Sequence, residues 1–527
     1  MADNDTMSNN TTAASSSMAT FESSVESSAN AFYHLWGAVL VFFMQCGFAM
    51  LEAGSVRAKN TQNILLKNFL DAALGTLIWW AIGFAFAYGE GGALPNPFIG
   101  GRHFFGINMI EEDDTEGAGY ASWFFQWSFA ATAATIVSGS VAERCKLGAY
   151  LCYTSMLVGL VYPVVVHWVW STEGWLSAFR SPPLLGSRGM IDFAGSGVVH
   201  MVGGGAGLMG AVFLGPRRGR FGTVRTSEQG TTIAIPGHSA ILSTLGVFII
   251  WTGWYGFNAA STLCMYKCMG IALRAAVNTT ISAAAGGCFT LFVHVFIFRR
   301  PAELAPLMNG VLGGLVSITA GCAVYEPWAA FVIGCIAGLV YIGSSLVLLN
   351  LEIDDPLDAA PVHFFCGSWG VIAVGLFASP SATMAAYPIA EGATATYGAF
   401  YPGGGGMQLG IQLLGVVSIA AWTMLTTGFL FGILKAMKKL RVPAEKEFVG
   451  MDAVSHGGYA YHLERTGADV VGEWLLRRRT TSRTKKSNNA GTNFAKAVTE
   501  AMKQDKEDND ENKNKNEPTS SNMAGEP

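Results

Sequence analysis

Of the chain's 527 residues, 51% are apolar and only 13% charged, against about 25% charged in an ordinary soluble domain. That balance excludes a soluble globular protein and points to an integral membrane protein. The net charge of -4, carried mainly by loops and the region after Lys435, excludes a basic nucleic-acid binder. No CxxC…CxxC, HExxH, GxSxG or phosphate-loop signature occurs, so neither a metal or cofactor site nor hydrolytic or acyl-transfer chemistry is indicated.

Residues 1–30 contain no Lys or Arg and no apolar core of the kind a cleavable signal peptide needs. They read as a disordered tail outside the membrane, with N-glycosylation sequons at Asn4, Asn9 and Asn10. The membrane region, 31–436, follows as eleven apolar runs, each about 20 residues or more in length. These are 31–54, 63–88, 120–141, 147–169, 192–215, 239–260, 270–298, 304–324, 327–348, 358–379 and 407–436. An odd number places the two termini on opposite sides.

Basic residues set the orientation. Arg57, Lys59, Arg144, Lys146, Arg217, Arg218, Arg220, Arg225, Arg299, Arg300, Lys435, Lys438, Lys439 and Arg441 fall on one side. The other side holds only Arg102, Arg180, Arg188 and Lys267. The prediction is an all-α fold with an extracellular N-terminus and a cytoplasmic C-terminus. Most cysteines sit in apolar runs as small hydrophobes. Cys264 and Cys268 lie in an outer loop, where they are either a disulfide or two free thiols.

After the last run, 437–476 reads as a structured cytosolic segment, rich in glycine and aromatics around Gly450 to Tyr461. Residues 477–527 are dominated by Lys, Asn, Glu, Asp and Ser and read as disordered. The basic stretch Arg477 to Arg483 is read as solvated charge rather than as a lipid-binding patch.

One pattern recurs within the apolar runs: an Asp followed eight residues later by a Val-His pair's histidine, at Asp192…Val199-His200 and at Asp355…Val362-His363. The first run enters from outside and the second from inside. Eight helical residues rise about 12 Å, close to half of a hydrocarbon core of about 30 Å, so both histidines are predicted near the midplane. Five spans followed by five inverted spans, plus one extra, is an inverted-repeat transporter plan, with its site at the repeat interface. Gly47-Phe48 and Gly256-Phe257 are a second, weaker echo on corresponding helices. An ionisable pair inside a membrane marks a substrate or proton path, so His200 and His363 are the candidate pore residues. Asp192 and Asp355 stand at helix starts, where a carboxylate caps free N–H groups.

The outer approach is aromatic, with Trp170, Phe129, Trp254 and Phe257 near Ser261. Aromatic faces attract cations and a hydroxyl accepts a hydrogen bond from one; an interfacial aromatic belt is the plainer account of each Trp alone. Gly203-x3-Gly207 and Gly406-x3-Gly410 read as close helix packing.

These residues carry a family resemblance. Asp192-Phe-Ala-Gly-Ser-Gly-Val-Val-His200 with the glycines running to Gly215-Pro-Arg217 is similar to the signature of the Amt/Mep/Rh ammonium transporters, and the chain most resembles their plant-type ammonium transporter 1 (AMT1) branch. Phe125-Gln126-Trp-Ser-Phe129, Ser140-Val-Ala-Glu143-Arg144, Tyr162-Pro…His167-Trp-Val-Trp170, Gly253-Trp254-Tyr-Gly-Phe257-Asn258 and Asp355-Pro…His363 extend the match over nearly the whole membrane region. The resemblance implies a homotrimer in the plasma membrane with one pore per subunit. It implies that Phe129, Trp170 and Ser261 recruit ammonium, that Phe129 and Phe257 form a gate with Trp254 beside it, and that His200 and His363 line the conduit. Asp192 would be the family's buried structural and functional acid. Physics adds that ammonium is deprotonated and crosses as ammonia, with methylammonium as an analogue and the proton following or not. Where plant relatives carry a regulatory phosphorylated Thr, this tail has Val454 followed by Ser455, so a kinase acting on the tail is a partner to consider. The alternatives are a sensor signalling through the tail and a Rh-like channel for neutral ammonia or carbon dioxide.

Overall fold

The computed structural model describes residues 2–91, 96–109, 117–186, 188–222, 231–389 and 395–461. Arg225 and everything beyond Tyr461, including the segment expected to be disordered, lie outside them, as do the side chains at the sequons. Each of the eleven apolar runs coincides with a helix: α1 (Ala2–Ser55), α2 (Ala58–Tyr88), α3 (Ala118–Ser140), α4 (Leu147–Trp170), α5 (Ser196–Leu214), α6 (Ala240–Thr262), α7 (Met269–Ile297), α8 (Leu304–Ile318), α9 (Pro327–Asn350), α10 (Ala360–Phe377) and α11 (Met407–Ala436). Among the described residues, nine are long and apolar enough to cross a membrane; α3 and α8 are the two that are not. Helix α8 has only 15 residues. Helix α3 has 23, but it is buried on every side from Phe125 onward and carries Gln126, Ser128, Thr132, Thr135 and Ser138. A helix enclosed by other helices has no need of a lipid-compatible surface. The only strands described are the two-residue antiparallel pair Phe221–Gly222 and Thr231–Thr232.

The N-terminal segment departs from expectation, because α1 includes most of the residues read as a disordered tail. Composition missed the tertiary anchors. Asn30 Oδ1 accepts the backbone N–H of Met265 at 2.7 Å, and Glu22 accepts from Lys267 Nζ at 2.7 Å and from Tyr266 OH at 2.9 Å. The loop that receives them is closed by a Cys264–Cys268 disulfide, which resolves the two readings of that pair.

Helices α1 and α6 pack through glycines. A Cβ on Gly47 would lie 2.7 Å from Ile250 Cγ1, and one on Gly246 would lie 2.3 Å from Leu51 N. Gly207 similarly admits Ser140, at 2.7 Å from a virtual Cβ. Gly406 and Gly410, read from sequence as a packing pair, meet nothing within 4 Å and do not serve that purpose among the described residues.

A second compact unit consists of Arg57–Asn63 and the chain from Pro443 on, described as far as Tyr461. Two short helices, Ala444–Val449 and Met451–Ser455, build it. The Asp452 carboxylate, fully buried, accepts the N–H groups of Gln62 and Asn63 at 2.9 Å each. Asn60 Oδ1 accepts Met451 N–H at 2.9 Å, and Lys59 Nζ donates to Phe448 O. Val454 is buried and Ser455 exposed. Asp452→Ala leaves two N–H groups unpaired, at a cost of about 1–3 kcal/mol to this unit. Hydrogen exchange over 443–461 is expected to accelerate by about tenfold or more; an unchanged rate refutes the anchoring role.

Candidate conduction site

His200 and His363 stand on matched distortions. In both α5 and α10 the first turn is a π-helix, Ser196–Met201 and Ala360–Phe365, and each contains its histidine. π-turns mark functional positions because the wider turn re-aims a side chain. The two rings lie 5.2 Å apart and nearly parallel, with their Nδ1 atoms at 3.2 Å. One Nδ1 donates and the other accepts, so the pair shares a single proton along that line. His200 is fully buried and His363 is 5% exposed. His200 Nε2 has no partner among the described residues, leaving it available to a permeating molecule.

The weaker echo of the sequence gains content here. Phe257 stacks 5.4 Å from His200, while Phe48 lies 6.4 Å from His363. A Phe thus stands beside each π-turn His. Trp254 stacks on His200 at 5.0 Å, its indole N–H held by Thr319 Oγ1 at 3.0 Å.

Phe129 and Phe257 stack at 4.2 Å and are almost wholly buried, closing one end of the histidine pair. Trp170 meets Phe129 edge-on at 6.0 Å. Its indole N–H donates to Asp192 O at 2.7 Å, which fixes the ring. Ser261 lies one turn beyond Phe257 and donates its hydroxyl to Phe257 O at 2.6 Å, leaving the oxygen's lone pairs to accept. No direct contact joins Ser261 to Trp170 or Phe129 among the contacts described. Phe125, 4.8 Å from Phe129, enlarges the aromatic set beyond the residues chosen from sequence.

Asp192 is a helix cap. Oδ1 accepts Gly195 N–H at 3.1 Å, and Oδ2 accepts Gly197 and Val198 N–H at 2.9 Å each. Three of the orphan donors that open α5 are satisfied by one buried carboxylate. Gly195 takes φ +104, and a Cβ there would lie 2.8 Å from Val199 and 3.1 Å from Trp170. Asp355 repeats the arrangement more weakly, accepting Ala360 N–H at 2.7 Å.

A second buried polar cluster was not singled out from the sequence. Glu52 of α1 accepts from Ser138 Oγ and from Asn68 Nδ2, the latter at 3.0 Å. Asp71 of α2 accepts from Tyr150 OH and from Thr154 Oγ1, the latter at 3.0 Å. Lys67 Nζ lies 5.1 Å over the Tyr150 ring and donates to Cys145 O at 3.4 Å. Three ionisable groups inside two apolar runs were the available signal. Glu52 and His363 line one cavity of about 20 Å³, with Phe48, Leu51, Leu357 and Val362. Leu51 and Leu357 also border a larger opening of about 730 Å³, lined by Arg220, His294, Tyr341 and Asp358 among others. Among the described residues, no group of three His, Cys, Asp or Glu is placed to hold a metal ion.

A family model described as "Ammonium Transporter Family" matches residues 31–461. The tomato (Solanum lycopersicum) "Ammonium transporter 1 member 3" is 43% identical over 466 residues, covering 86% of this chain and 98% of that protein. The Arabidopsis thaliana "Ammonium transporter 1 member 1" is 48% identical, over 78% of this chain and 81% of its own. Among solved structures, a "Sensor Amt Protein" aligns with a TM-score of 0.70 at 31% identity, covering 82% of this chain and 99% of that one. Candida albicans Mep2 aligns at 0.68 and 25% identity, over 82% and 90%.

Proposed function

This chain belongs to the ammonium transporter family, and we propose that it recruits ammonium at an aromatic site, deprotonates it and conducts ammonia past the twin histidines. The observation that carries the reading is the contiguous series Trp170, Phe129, Phe257, His200, His363, with ring contacts of 6.0, 4.2, 5.4 and 5.2 Å. Aromatic faces at its start favour a cation, worth about 2 kcal/mol or more when desolvated. Beyond Phe257 the walls are buried and apolar, so an intact ion is penalised whereas neutral ammonia is not. Ammonia can donate to or accept from an imidazole nitrogen, and His200 Nε2 is the atom left for it. Asp192 holds α5 in register, and Trp254 fixes the His200 ring.

The architecture that fits this reading is eleven spans, five and five inverted plus one, with the N-terminus outside and the C-terminus in the cytosol. Trp170 then faces outside and the Leu51–Leu357 opening faces the cytosol. We assign the chain to the plasma membrane as a homotrimer with one pore per subunit. The 443–461 segment serves as a regulatory element, with exposed Ser455 the side chain open to a kinase. Under a transporter reading the protein has no enzymatic role. In oocytes, His200→Ala and His363→Ala are each expected to lower saturable uptake of labelled methylammonium, or to relax its selectivity, by about tenfold or more. Unchanged rate and selectivity in both would sink the histidine role.

One structural neighbour is named as a sensor, which supports a second reading, signalling through the tail. Truncation after Tyr461 separates the two: loss of a downstream response with uptake intact favours the sensor. A Rh-like neutral channel is disfavoured by Trp170 and is tested by a substrate-saturable current.

A further inference from the structure

We propose that Glu52 is a proton-transfer group on the cytosolic side of the histidine pair, taking the proton released from ammonium out of the conduit. The inference rests on the deprotonation reading above. Glu52 is 2% exposed, yet it is not sealed into protein: it borders the same cavity as His363. About 20 Å³ holds one water, enough to bridge the ring to the carboxylate. His363 Nδ1 is engaged by His200, so Nε2 is the nitrogen left to pass a proton along that bridge.

The charged groups acting on Glu52 are Lys67 and Asp71, both fully buried. Two carboxylates and one ammonium balance in charge only when one proton is shared between the acids, and buried charge that is not balanced is costly. Asp71 is enclosed by Tyr150 and Thr154 and borders neither opening, whereas Glu52 borders the His363 cavity. The mobile proton of the cluster is therefore assigned to Glu52. Ser138 and Asn68 each give one hydrogen bond to it, which orients the carboxylate and leaves further lone pairs for the bridging water.

Glu52 first releases its proton past Leu51 and Leu357 into the larger opening. An N–H bond of ammonium breaks at the aromatic end, and its proton passes through the histidine pair and the water to the vacated Glu52 oxygen, restoring the acid. Ammonia crosses separately and regains a proton in the larger opening, so one ammonium and one positive charge are delivered together.

The test is voltage-clamp recording with isotope-labelled ammonium on oocytes expressing the full chain, read as charge moved per ammonium taken up. Wild type is expected to move about one charge per ammonium, by the balance above. In Glu52→Gln, which keeps the shape and one acceptor oxygen, charge per ammonium is expected to fall by about tenfold or more while labelled uptake continues. Glu52→Asp, retaining an acid on a shorter stem, is expected to recover part of the ratio, and it replaces Gln as the test if that variant does not reach the surface. A wild-type ratio in Glu52→Gln overturns the proposal, as does an Asp variant that falls to the ratio of Gln. Absence of saturable uptake in wild type would instead overturn the transport reading itself.

Discussion

Asp192→Ala is expected to abolish ammonium uptake, with a fall of about 100-fold or more, and to lower stability by about 2–4 kcal/mol. Three N–H groups at the start of α5, from Gly195, Gly197 and Val198, lose their acceptor in a place water cannot reach. The same segment positions two functional side chains. His200 sits on the π-turn that the cap opens, and Trp170 is tied to Asp192 O at 2.7 Å. A shift of about 1 Å in either is enough to disturb a constellation whose contacts are ring to ring. Asp192→Asn separates capping from charge, because an amide oxygen at the Oδ2 position keeps the two bonds at 2.9 Å and loses only the third. Uptake and thermal midpoint in detergent should rank aspartate above asparagine above alanine. Equal loss in both variants would show that the charge, and not the cap, is what α5 requires.

Arg217→Ala is the substitution expected to destabilise the protein most, by about 3–5 kcal/mol. Its guanidinium grips Asp354 in a two-point fork, Nε to Oδ2 at 2.8 Å and Nη2 to Oδ1 at 3.0 Å, and reaches Glu143 at 3.3 Å. The Asp354 and Glu143 side chains are at most 1% exposed, so removing the arginine takes a charge partner from two buried carboxylates, with Arg220 remaining 3.4 Å from Asp354. Arg144 completes the tie by donating to Asp354 O at 2.6 Å and to Gly215 O at 2.8 Å. Three loops, each between successive helices, are joined at this point. Arg217→Lys keeps the charge but not the fork and should fall between wild type and alanine.

The same network sets an acid limit. Burial alone would raise the Asp354 pKa, but the Arg217 fork and the nearby Arg144 outweigh it and hold the carboxyl at about 2, below its ordinary 3.8. A folded-state value below the unfolded one contributes stability above pH ~4 that is lost as pH falls from ~4 to ~2, here about 2 kcal/mol. The thermal midpoint of Asp354→Asn should lack that part of the acid decline. An identical acid profile in both would mean that Asp354 is not the titrating group.

The class of the protein and its candidate pore residues could be read from one-dimensional signals that survive without a fold. Apolar run length marks the helices, because a helix in lipid must satisfy its own backbone and stay apolar outside. The Asp-x7-His repeat marked two positions that do meet, 163 residues apart, at 3.2 Å between ring nitrogens. The aromatic residues chosen around Phe129 include a real stack with Phe257 and an edge contact with Trp170. Each of these is a residue type that is costly or rare in its setting, and that cost is visible in the sequence.

Other features depend on which surfaces face each other, which run length and periodicity do not record. Run length marks α3 as a helix, but only packing shows that its neighbours enclose it, and residues 2–30 join a helix because Glu22 and Asn30 find partners some 235–245 residues away. The Gly406-x3-Gly410 spacing looks like Gly203-x3-Gly207, yet among the described residues only the second has a helix against it. Glu52, Lys67 and Asp71 are ionisable residues in apolar runs, but only packing places one of them on the cavity of His363. The sequence by itself determined the membrane class, the helical segments and the paired histidines, because these follow from the cost of placing each residue in lipid. The tertiary structure decided the grip of Arg217 on Asp354 and the placement of Glu52 beside His363, because each is a short-range interaction between segments distant in the chain.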